Sequence, residues 1–323
     1  MSKSSTVTVR EKPVEQVASA TVGGLTIHGE TLVVQTQQRI ELVDLTKTVM
    51  EFVRKFNMSL SAVLFLFLAH LGVGIVFTLV LVSREAGVKF FRFNAGLAAI
   101  LIAVALAFRP PASDPLSTAA LVALALSELG VVVYWATVGR GLASIRPLLV
   151  ALAVGGGTTA VILQALAVAS QRSVPVQALT VASFLSSAAM LGGACTAMIL
   201  GHWYLVIPSM QVSHLQSIVK VHIASMVVRV AVVGAAVVFA IATWQPGVGP
   251  SFRHYILSVD GVFFWQRVLF GLAGPALLSY LTWETAKIRS TQSATGILYV
   301  DFFTVVVGEV LAKYILLATR VPV

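Results

Sequence analysis

Two histidines, His202 and His222, stand at the edges of a short connection between apolar runs, and Arg229 follows His222 by seven residues. Seven residues are close to two helical turns, so His222 and Arg229 share a helix face. If the flanking runs are antiparallel helices, His202 and His222 lie at similar depth. Two imidazoles so placed form a donor set for a b-type haem, and a guanidinium beside them suits a propionate or a quinone head group. His214, between them, reads as a loop residue. The competing account is structural, because His202-Trp203-Tyr204 at the end of an apolar run has the composition of an interfacial anchor.

His70, Glu128, Arg229 and Glu309 each lie well inside an apolar run. Ionisable groups are expensive there and are kept for pairing or for moving ions and protons. Lys313 follows Glu309 by four residues, a spacing that permits a local ion pair. Arg229 has no partner in its own run, so Glu128 or Glu309 from a facing helix is its expected counter-ion. Other chemistries lack their residues. The chain has no G-x-S-x-G, H-E-x-x-H, C-x-x-C or Walker loop. Its one cysteine, Cys195, excludes an intramolecular disulfide.

The elements that must position these residues follow from composition. Of 323 residues, 58% are hydrophobic and 11% charged, against roughly 25% charged in a soluble domain. So little charge cannot cover a water-facing surface, and lipid becomes the expected solvent. The net charge of +9 lies mainly between apolar runs, where Lys and Arg set topology, so nucleic acid is not an expected partner. A bilayer core needs about 20 apolar residues per helix. That ruler predicts eight spans, at 58–82, 94–109, 116–137, 147–170, 176–205, 216–243, 261–283 and 295–318. Short connections make consecutive helices antiparallel neighbours. The expected fold is therefore all-α, a polytopic integral membrane protein with about eight transmembrane helices in a compact bundle. Gly-rich patches such as 153–160 and 192–197 read as close helix contacts.

Residues 1–57 differ in kind. Over 30–57 an alternating pair, Leu32 and Val34, precedes a helical pattern of Val43, Val49, Phe52, Val53 and Phe56. The segment QTQQRIELVDLT with VMEFVRKFN resembles the opening of the secondary thiamine-phosphate synthase (YjbQ-like) family, over about thirty residues. That resemblance implies a strand leading into a helix. In the family a His-Thr-Thr segment follows and serves the active site. Here His70 is followed by Leu71 and Gly72, and the rest of that domain is missing, so the activity is not expected. Residues 1–57 are thus expected to be a soluble extension, from a fusion or over-extended start, with the bundle occupying 58–323. The alternative is a genuine extension whose helix at 42–56 lies on the membrane or a partner.

With the N-terminal side named A and the far side B, seven Lys and Arg residues occupy B-side connections and four occupy A-side ones. This places B in the cytoplasm. Adding Lys47, Arg54 and Lys55 levels the count. The leading functional expectation is a membrane subunit of a redox complex in a bacterial cytoplasmic membrane, not an enzyme on its own. His202, His222 and Arg229 would hold haem b or meet quinone, with other subunits as partners. The alternatives are a scaffold subunit, and a small transporter using Glu128, Arg229 and Glu309.

Overall fold

Eight helices are long and apolar enough to cross a bilayer, in the order the apolar runs predict. They are seen in a computed structural model that describes residues 17–22, 25–30, 46–112, 114–141, 143–206, 211–245 and 251–323. The chain divides into two compact units, 1–55 and 56–323. In the first, β1 (Val17–Val22) and β2 (Leu25–Glu30) pair antiparallel, with Val22 opposite Leu25. The strand expected around Leu32 and Val34 lies outside the described residues.

The helices are α1 (Thr46–Leu79), α2 (Gly87–Ala107), α3 (Pro115–Thr137), α4 (Arg146–Val168), α5 (Val174–Val206) and α6 (Val212–Ala242). A short α7 (Phe252–Leu257) precedes α8 (Val262–Val268), α9 (Gly274–Lys287) and α10 (Thr291–Thr319). Of the segment 42–56, expected in one reading as an amphipathic helix, residues 42–45 lie outside the described residues and the remainder is helical, within α1. The second helix starts earlier than its apolar run because Val88 to Phe93 continue it in helical form. Arg109-Pro110-Pro111 stops it, as proline can neither donate nor fit inside a helix. Asp114 then caps α3, its carboxylate accepting the Ser117 N–H at 2.9 Å and the Ser117 hydroxyl at 2.5 Å. Those two donors hold the Asp114 carboxyl below its ordinary pKa.

The seventh span departs from the simple expectation of one helix. It is α8, then a π-helical turn over Leu269–Ala273, then α9. Pro275 explains the break. It has no N–H, and its ring would strike the carbonyl one turn back in a regular helix. The wider turn relieves this, with the Gly274 N–H bonding to the Leu269 carbonyl.

Two spans are interior and six surround them. About four-fifths of the apolar stretch is buried in the Leu60–Leu79 part of α1 and in α5 (78% and 83%), against 28–39% for the other spans. The interior pair crosses through glycine. A Cβ on Gly192 would stand 2.6 Å from Gly74 Cα, so no side chain fits there. At the same crossing Thr78 Oγ1 lies 2.7 Å from Thr196 Oγ1 and donates to the Gly192 carbonyl. Around this axis α5 packs on α6 and α10, and α9 packs on α6 and α10. These four spans enclose the polar residues described next.

Gly192→Leu is expected to destabilise the fold by about 3 kcal/mol, the upper end for overpacking, or to prevent folding. Gly155→Leu, at a position with nothing near an added Cβ, should leave the thermal midpoint of purified protein within a few degrees of wild type.

Candidate functional site: a buried charge cluster

α10 brings Glu309 and Lys313 to the bundle interior one turn apart, and α6 brings Arg229 to face them. Arg229, Glu309 and Lys313 have at most 1% of their surface exposed. The Arg229 guanidinium grips the carboxylate with two bonds, Nε to Oε1 at 2.9 Å and Nη2 to Oε2 at 3.1 Å. Its remaining Nη1 donates to the Ser183 hydroxyl at 2.7 Å and the Ser183 carbonyl at 3.1 Å, and Nη2 also donates to the main-chain oxygen of Val323 at 3.2 Å. Of the two counter-ions expected for Arg229, Glu309 is therefore the partner. Among the described residues no ion pair reaches Glu128, whose Oε2 is buried without a hydrogen-bond partner.

Arg267, on α8, also joins the cluster and was not singled out by sequence. It is fully buried, and its Nη2 donates to Glu309 Oε1 at 2.8 Å. Lys313 Nζ lies 3.8 Å from Glu309 Oε2 and donates to the Ser187 hydroxyl at 2.8 Å; that hydroxyl donates onward to Oε2 at 2.5 Å. Each carboxylate oxygen thus accepts two hydrogen bonds, which fills the acceptor capacity of the group. His70, on α1, completes the edge, with Nδ1 3.4 Å from the Ser187 hydroxyl and its ring against Phe184. Lys313 Nζ lies 4.9 Å from the centre of the same Phe184 ring.

A second polar centre occupies the same two helices. His222 Nε2 and Asp301 Oδ2 lie 2.8 Å apart, both groups fully buried. Asp301 was likewise not singled out by sequence. The opposite atoms of this pair, His222 Nδ1 and Asp301 Oδ1, have no hydrogen-bond partner. Gly193 of α5 faces His222, leaving room where a Cβ would stand 3.4 Å from Nδ1. At 1.5 Å per residue, Asp301 and Glu309 are about 12 Å apart along α10. His222 and Arg229 are about 10 Å apart along α6 by the same rise. The two centres are therefore stacked along one helix pair.

His202 has a separate setting. It is exposed and its Nδ1 lies 3.1 Å from the Tyr299 hydroxyl. Its neighbours close the end of the bundle. Trp203 Nε1 donates to the Ala86 carbonyl at 3.2 Å, and the Tyr204 hydroxyl donates to the Gln211 carbonyl. His214, expected in a loop, lies in the first turn of α6, with Nε2 2.6 Å from Glu85 Oε2. The helix begins earlier than its apolar run, because a helix end at the membrane surface tolerates polar residues. Among the described residues, no group of three or more His, Cys, Asp and Glu is placed to hold a metal ion.

Removing one partner of a buried ion pair costs about 3–5 kcal/mol, since the other charge is left unpaired. Glu309→Gln, which strands three cations, is expected to fall in that range. Lys313→Met leaves Glu309 paired to both guanidiniums and should cost clearly less than Glu309→Gln. Thermal unfolding in detergent ranks the two variants, and equal losses would contradict the central place given to Glu309.

No family model, no curated protein and no solved structure matches the chain.

Proposed function

We propose that this protein is a proton-coupled carrier of small solutes, working through α5, α6, the seventh span and α10. The observation that supports it is the stacking of two fully buried ionisable centres along α6 and α10. Intramembrane charge that is paired and turned inward is the usual mark of an ion or proton route. Asp301 is about 15 Å from the Thr291 end of α10 and Glu309 about 15 Å from the Thr319 end, by helical rise. Together they divide the span into three steps.

The chemistry of the two centres differs. Glu309 is held by three cations, so it stays ionised and acts as a fixed counter-charge. Asp301 has one basic partner, His222, and each of the two retains an unpartnered atom. With Nε2 donating to Asp301, the unpartnered Nδ1 of His222 is where an added proton would sit, and it would turn a neutral-imidazole contact between α6 and α10 into an ion pair. This is how proton binding would alter the packing of the four spans. The interrupted seventh span adds to the case, because non-regular helix inside a membrane lines the sites of many transporters. A bacterial cytoplasmic membrane suits such a carrier.

The test is proton flux in liposomes loaded with potassium chloride, driven by a potassium diffusion potential and read with a pH-sensitive dye. Wild-type protein should acidify or alkalinise the lumen. Asp301→Asn and His222→Ala should lower the rate at least tenfold, whereas Glu128→Gln should stay within twofold. Equal rates in all four proteins, or none in the wild type, would refute a proton-coupled carrier. A haem b band in the reduced-minus-oxidised spectrum of the same preparation would favour the redox-subunit alternative, with His202, His222 and Arg229 at the cofactor.

A further inference from the structure

Among the described residues, the central cluster holds three buried cations, Arg229, Arg267 and Lys313, and one carboxylate, Glu309. The nearest buried acid along α10, Asp301, is committed to His222. Arg229 is met by two bonds to Glu309, by Ser183 and by the Val323 main-chain oxygen, whereas Arg267 has a single bond to Glu309. A buried charge so thinly paired is costly, so the unmet demand of the cluster lies at Arg267.

One residue identifies the place. Arg229 is satisfied at every nitrogen. Arg267 is not: it is fully buried, yet both Nε and Nη1 lack a hydrogen-bond partner. The surroundings of Nη1 are unusual. They are Gly271, in the π turn, and Gly308 on α10, where an added Cβ would stand 3.1 Å from Nη1. A Cβ on Gly271 would collide with the same nitrogen. The two glycines therefore let the guanidinium pack against backbone where the seventh span departs from regular helix, and its Nε and Nη1 still have no partner there. Guanidinium, being weakly hydrated itself, suits anions that shed water readily.

We propose that Arg267 binds a small monovalent anion, a halide or the carboxylate group of a small acid, at the π turn between α8 and α9. This rests on the carrier reading in one respect only, that the bound anion is its solute. Binding itself is independent of transport. The site takes one negative charge against Nη1 and Nε, the two donors that Glu309 does not reach.

The experiment uses the full chain purified in detergent and exchanged into gluconate buffer. Chloride, bromide, formate and acetate are titrated at constant ionic strength, and unfolding is followed by tryptophan fluorescence. A ligand that binds only the folded state raises the midpoint with concentration, in proportion to ln(1 + [L]/Kd). The expected result is a rise with halide or with the small carboxylates and none with added gluconate. Arg267→Lys keeps a charge for Glu309 but removes Nε and Nη1, and should weaken the response at least tenfold. Should that variant fail to fold, Gly271→Ala keeps Arg267 and displaces Nη1, with the same weakening expected. Glu128→Gln should respond as wild type. A midpoint that ignores all four anions, or a response that survives both variants, overturns the site. Anion binding without proton flux would uphold the site and refute the carrier; proton flux without an anion response would do the reverse.

Discussion

Everything in the interior is arranged about one carboxylate. Glu309 has two oxygens, and each accepts two bonds from groups on different helices: Arg229 on α6, Arg267 on α8 and Ser187 on α5. In lipid such a group is tolerated only if its charge is matched and its lone pairs are filled. That requirement fixes the faces of four spans at once. Rotating any of them by even a third of a turn would leave a guanidinium or a hydroxyl without a partner in a medium that cannot hydrate it. Apolar packing alone would be far less selective, because lipid tails are as apolar as leucine.

The same constraint explains the glycines. Gly271 and Gly308 lie against Arg267, and Gly193 lies against His222. At Gly271 and Gly308 the missing Cβ makes room for the guanidinium as well as for a close helix approach, whereas a Cβ on Gly193 would make ordinary contact with His222. Glycine beside Arg267 therefore serves two ends. At the α1–α5 crossing, by contrast, Gly74 and Gly192 meet backbone to backbone and serve packing alone.

The fold was largely legible, because spans announce themselves by length and composition. Eight runs became eight spans, and the shortest predicted one, 94–109, is a full helix, α2. The site was legible in part. Glu309 with Lys313, and Glu309 as an alternative partner of Arg229, follow from spacing and from the absence of a partner within a helix. Arg267 does not. It lies near the start of its span, a depth from which a long side chain can reach the surface, and only the packing of Gly308 and the π turn directs it inward. Asp301 was missed for another reason. Its partner His222 had been set against His202 across a short connection, whereas the imidazole turns toward α10. Short connections make helices adjacent, but they do not say which faces meet.

The interior position of α1 has a consequence for how the chain is made. Its span is synthesised before α5, and the groups that accommodate its polar residues come much later. His70 meets Ser187, and Thr78 meets Thr196, at separations of 117 and 118 residues. Until α5 has been synthesised, the buried face of α1 must rest against lipid, against an insertion factor, or against the spans in between. Insertion and assembly are therefore separated in time for this helix. α1 can reach its final surroundings only after four further spans, α2 to α5, have been made.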